Sequence, residues 1–258
     1  MGRPTMLNNC FGLSTIVHGV EVFPIKIVEW REFESLASKF LLYGEKFLKY
    51  KIKAPKDVKI FDFIISLISN EILTSENGQS EMVLEFERLF ELVLHKKVTL
   101  SFKERTKEWL LLFDGGEVNR HNYDDFRKTI MEMNLIYEPL VAPNELSQKL
   151  LDDAIKDMSK GGDKADLEAM IVYVCTYMGI EQKTFEKMTY YQLRAHYEMA
   201  QRIQISDAIH LYRAQGAKVD TINMAKELAI HDNPFSFDKL VRKVDTNKEQ
   251  QQKKALGG

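Results

Sequence analysis

The sequence predicts an α+β fold: a mixed N-terminal half with a small antiparallel sheet and helices, and an all-helical C-terminal half. Three observations carry this. Short alternating or β-branched runs are confined to residues 13–28 and 98–113. Apolar stripes at three- and four-residue steps occupy the remainder. Pro139 and Pro143 bracket a linker where the mixed pattern gives way to helical stripes alone. The expected organisation is an α+β domain at 1–143, a helical domain at 144–245 and a flexible tail at 246–258.

The elements follow in order. Ile16, Val17, Val20, Val22, Phe23, Ile25 and Ile27 read as short strands, with Gly19 at a tight turn. Pro24 lacks an N–H, so its strand lies at an edge or ends there. Trp30, Phe33, Leu36, Ala37, Phe40, Leu41, Phe47 and Leu48 share one helical stripe. Residues 60–73 are apolar around nearly the whole circumference, which predicts a buried helix. A turn at 75–78 precedes an amphipathic helix carrying Met82, Phe86, Leu89, Phe90 and Val93. Val98, Leu100 and Phe102 alternate, residues 109–113 form an apolar run and Asp114-Gly115-Gly116 follows, which predicts a β-meander. Asn122 stands where it would cap a helix carrying Phe126, Ile130 and Met133.

Beyond the linker, one helix carries Leu146, Leu150, Leu151, Ile155 and Met158, ended by Gly161-Gly162. A second carries Leu167, Met170, Ile171, Val174 and Met178, closed by Gly179. Thr189 with Gln192 forms a capping box that opens a long helix, stopped by Gly216. A shorter helix is expected at 221–229.

With 258 residues, 45% of them hydrophobic, the chain can bury a sizeable core. Its 36 Lys+Arg against 38 Asp+Glu exclude the overall basic excess of a typical nucleic-acid binder and leave a local patch open. Cys10 and Cys175 make no disulfide framework and fit a reducing compartment. No apolar run approaches the ~20 residues of a membrane span, and the stretch at 7–17 makes a poor signal-peptide core. A soluble cytoplasmic protein is expected, with no membrane and no nucleic-acid partner.

No nucleophile elbow, Cys-x-x-Cys or phosphate-binding loop is present, and no two histidines share an i, i+4 spacing. Asp207 and His210 share a helix face, a pairing more often a surface interaction than half of a metal site. Lys248, Lys253 and Lys254 sit among glutamines and neutralise too few phosphates to hold nucleic acid at physiological salt. No enzymatic activity, catalytic residue, metal or cofactor is expected.

The helical half is rich in Met and Tyr, residues suited to adaptable interfaces. Any one of them is more often inter-helix packing. As a set, Tyr190, Tyr191, Tyr197 and Met199 on one capped helix exceed what a helix exterior needs, and they are the candidate protein-binding residues.

Three stretches carry a family resemblance: VEVFPIKIVEWREF (20–33), DDFRKTIMEMNLIYEP (124–139) and MTYYQLRAHYEMA (188–200), about a sixth of the chain. They resemble proteins from the tail-morphogenesis modules of phages and prophages of Gram-positive bacteria. The resemblance implies a tail assembly chaperone: a non-enzymatic protein of the infected host's cytoplasm that coats the tape-measure protein and recruits tail-tube subunits. It assigns no functional positions and leaves oligomeric state open. Two rival expectations stand beside it. One is a tail or baseplate component retained in the virion. The other is an enzyme or nucleic-acid-processing factor whose site assembles only in the fold.

Overall fold

The computed structural model describes residues 6–74, 80–159 and 166–231. The turn at 75–78, the Gly161-Gly162 stop and the tail at 246–258 lie outside the described residues. The fold is α+β, with two small antiparallel sheets. A short helix, α1 (Met6–Phe11), leads into β1 (Thr15–Val17) and β2 (Val20–Val22). His18 and Gly19 join these strands with φ of 50° and 79°, the mirror-image turn whose twist matches a hairpin. Thr15 faces Val22 and Val17 faces Val20. The expected strand character of Ile25 and Ile27 is not realised: β2 ends before Pro24, and a 3-10 turn covers Ile27–Glu29.

Helix α2 (Trp30–Phe40) buries Trp30, Phe33, Leu36, Ala37 and Phe40. The stripe does not continue unbroken to Leu48. The chain turns at Gly44 and forms α3 (Glu45–Phe47), which widens into a π-turn at Leu48–Ile52. Gly44 lets the Glu138 carboxylate approach the turn closely, since a Cβ there would overlap it. Helix α4 (Ile60–Thr74) buries Ile60, Phe61, Ile64, Ile65 and Ile68, and only its last turn exposes a large apolar residue, Leu73. Helix α5 (Glu81–Leu94) starts at Ser80, whose hydroxyl accepts from the Val83 N–H, and stops at His95 in the left-handed region.

The meander forms as expected. Strands β3 (Val98–Lys103), β4 (Glu108–Phe113) and β5 (Gly116–Asn119) are antiparallel neighbours, with Leu100 opposite Leu111 and Leu111 opposite Val118. Asn122 then precedes α6 (Tyr123–Met133) without capping it. Its carboxamide instead accepts from Asn119 N–H at 2.7 Å and donates to the Glu117 carbonyl at 3.0 Å, closing the strand-to-helix turn.

Phe40, Phe61, Phe86, Phe90 and Tyr123 meet at centroid separations of 5.0–6.2 Å in the main core. The Tyr123 hydroxyl donates to the Phe40 carbonyl at 2.9 Å, and burial pushes its ionisation far above the usual phenol range. Arg127 is also inside, 1% exposed. Its guanidinium donates to the Leu41 carbonyl at 2.8 Å and pairs with Asp124 and Glu138. Burial opposes charge on Asp124, but Lys128 and Arg127 outweigh it and hold the carboxyl below its usual range.

Residues 136–144, around the two prolines, have no regular structure. Beyond them lie α7 (Glu145–Ser159), α8 (Leu167–Met178), a 3-10 helix (Gln182–Lys187) and α9 (Tyr190–Ala214). Gly179 ends α8 at φ 65° and Gly216 follows α9 at φ 90°. The expected helix at 221–229 is absent, and only Ala229–His231 makes a 3-10 turn. The reason is on α9. Arg202 takes the carbonyls of Met224, Lys226 and Glu227, and Glu198 accepts the amides of Ala229 and Ile230. Those groups are therefore not available for an i→i−4 ladder.

Candidate protein-binding surface

The three stretches that carry the resemblance meet at one seam. The Ile25 N–H donates to Asn134 Oδ1 at 2.9 Å, and the Ile25 carbonyl accepts from Tyr190 N–H at 3.3 Å. Ile27 N–H reaches the Met188 carbonyl at 2.9 Å, and Lys26 bridges Thr189. An extended segment thus docks edge-on against the entrance to α9. The Thr189 hydroxyl accepts from Gln192 N–H at 3.2 Å, and the Gln192 side chain accepts from Thr189 N–H at 2.9 Å, completing the predicted capping box.

This seam settles where the four candidate residues lie. Tyr190 stacks on Trp30 at 3.6 Å and 10°, so it anchors α9 rather than facing outward. Tyr191 is 1% exposed and its hydroxyl lies 3.8 Å from Cys10 Sγ. The expectation that Tyr191 belongs to a surface site is corrected: the first turn of α9 enters the core, and an aromatic ring there is buried by α1. Tyr197 and Met199 are half-buried. The Tyr197 ring lies 5.2 Å from Tyr173, which is itself 4.8 Å from Tyr177.

The surface that the structure does offer lies on α8 and further along α9. A second core cluster, Ile27, Met170, Val174, Phe185 and Leu193, fastens the start of both helices. Arg194 meets Met170, and Gln204 accepts from the Tyr173 hydroxyl at 2.6 Å, so the contacts advance along both helices in the same sense. At 1.5 Å per residue α8 is about 18 Å long and α9 about 38 Å. The distal half of α9 therefore runs past the end of α8. Val172 and Tyr177 on α8, with Ile205, Leu211 and Tyr212 on α9, are 41–62% exposed. Singly such residues are ordinary. Five on two neighbouring helices, beside the half-buried rings of Tyr173 and Tyr197, make up an exposed apolar and aromatic surface of the kind that marks protein contact.

The sequence singles out neither Val172 nor Ile205. A signal was present for α8. It is apolar around its circumference (Leu167, Ile171, Val172, Val174, Met178), more than a helix with a single partner can bury.

Among the described residues, no group of three or more His, Cys, Asp or Glu is placed to hold a metal ion. Asp207 and His210 are both exposed. Cys10 and Cys175 are free thiols. No helix among the described residues is long and apolar enough to cross a membrane. No protein-family profile, characterised protein or solved structure matches this chain.

Proposed function

We propose that this protein is a non-enzymatic, cytoplasmic protein-binding factor, and specifically a phage tail assembly chaperone that holds the tape-measure protein and recruits tail-tube subunits. The observation that carries the binding role is the exposure of the apolar and aromatic side chains Val172, Tyr177, Ile205, Leu211 and Tyr212 along α8 and α9. Apolar and aromatic side chains on a helix extending past its neighbour suit a long, apolar client better than a closed pocket would. The specific identity of the client rests on the family resemblance of the three stretches joined at Ile25.

Co-expression tests this reading. The tagged protein, produced with the tape-measure protein of the same genome, should keep that protein soluble and co-purify with it. It should also be missing from purified particles. A tape-measure protein that stays insoluble and unbound in its presence overturns the chaperone role. Stoichiometric recovery from finished particles replaces it with the structural one.

A further inference from the structure

Residues 45–59 carry six lysines, Lys46, Lys49, Lys51, Lys53, Lys56 and Lys59, against two acids, Glu45 and Asp57. The near-neutral whole-chain balance hides this local excess. The π-turn at Leu48–Ile52, the left-handed Lys53 and the Ala54 N–H bond to the Leu48 carbonyl at 3.0 Å wind the segment so that all six lysines are exposed. None of the six forms an ion pair among the described residues.

Three of these lysines, Lys49, Lys56 and Lys59, border an open cleft of about 710 Å³, with Arg120 and His121 also on its wall. Three acids line it too, Glu45, Asp124 and Asp125. Asp124 is held by Arg127 and Lys128, and Asp125 hydrogen-bonds His18 at 2.7 Å. Asp62, close by, pairs with Arg120 at 3.1 Å. The unmatched charge at the cleft is therefore mainly lysine. Its lining also includes the apolar side chains of Leu48, Ala54, Pro55, Val58 and Ile60.

We infer that this cleft, with its lysine rim, is a docking site for an acidic segment of a partner protein, one that alternates carboxylates with apolar side chains. Charge complementarity selects the acid, and the apolar lining takes the intervening side chains. A nucleic acid is less well served. Single strands need aromatic platforms for their bases, and the two benzenoid rings at the cleft, Phe61 and Tyr123, are each 1% exposed. The site uses none of the residues of the α8–α9 face, so the two readings fail separately.

Fluorescence anisotropy with the full chain tests the site, using three labelled probes: a Glu-Glu-Leu repeat peptide, a Glu-Glu-Ser repeat peptide and oligothymidylate. The Leu-containing peptide should bind tightest, and added salt should weaken it. The Lys49→Glu/Lys56→Glu/Lys59→Glu variant should weaken it by roughly tenfold or more, since each reversed rim charge contributes a fraction of a kcal/mol or more. Val58→Ser, which removes apolar surface without changing charge, should weaken the Leu peptide and spare the Ser peptide. A Lys103→Glu/Lys107→Glu variant, altered outside the cleft, should bind as the parent does. All substituted side chains are exposed or half-buried, and unchanged thermal melting confirms the fold. Tighter binding of oligothymidylate, no binding of the Leu peptide, or equal losses in both lysine variants would each overturn the inference.

Discussion

Arg127 shows how one side chain can hold several parts of this fold at once. It lies at 1% exposure, bonded to the Leu41 carbonyl after α2, to Asp124 in the first turn of α6 and to Glu138 beyond the end of α6. Replacing it with Leu strands that carbonyl, leaves Glu138 without its cation and leaves Asp124 with Lys128 alone. Because both carboxylates keep some solvent, the expected loss is about 2–4 kcal/mol, below the usual range for breaking a fully buried pair, read by chemical denaturation. Nothing local in the sequence marks Arg127 as buried, because a charged side chain at a helical position normally reads as solvated. Its distant partner is the Leu41 carbonyl, 86 residues away in sequence, and that is why no local pattern reveals its burial. His196 makes a second residue-scale case. Burial disfavours its protonated form and lowers its pKa from the ordinary 6.5. The stability gained by keeping it neutral is full above about pH 6.5 and is lost as pH falls through the lowered folded value. His196→Gln should flatten the stability profile below pH 6.5, and an unchanged slope would assign that dependence to other groups.

At the scale of elements, local chemistry predicts most of the secondary structure and fails where tertiary partners intervene. The His18-Gly19 hairpin, the meander, the capping box at Thr189 and the glycine stops at Gly179 and Gly216 are written in short-range turn and cap signals, and each forms. Removing such a signal has a bounded effect: Thr189→Ala should cost about 1 kcal/mol by thermal or chemical melting. The stretch at 221–229 fails differently. Ile222, Met224 and Leu228 are compatible with a helix, but Glu198 and Arg202, a turn apart on α9, hold its backbone in an irregular strap. Glu198→Gln should speed hydrogen exchange at the Ala229 and Ile230 amides, roughly tenfold or more, while α9 keeps its protection. Exchange unchanged at both amides would mean that other contacts hold the strap. Asn122 teaches the same lesson, since its preference for a helix start is correct in position while its side chain serves the turn behind it.

Across the whole molecule, aromatic residues divide into those that join parts and those that remain outside. The two are indistinguishable by composition. Tyr190 and Tyr191 anchor α9 to Trp30 and α1, whereas Tyr177 and Tyr212 stay exposed. The fold class was legible because it depends on period alone. The surface was not, because the side that α8 and α9 leave uncovered depends on their direction and unequal length. The most direct test compares binding and stability in two sets of variants. Tyr177→Gln/Ile205→Gln/Leu211→Gln keeps good helix formers at exposed positions, so its melting temperature should stay near that of the parent. Its affinity for a soluble tape-measure fragment, measured by titration calorimetry, should fall at least about tenfold. Tyr191→Ala removes a buried ring and should cost about 3–5 kcal/mol of stability. Undiminished affinity in the triple variant, with the fold intact, would contradict the claim that the α8–α9 face is where this protein meets its client.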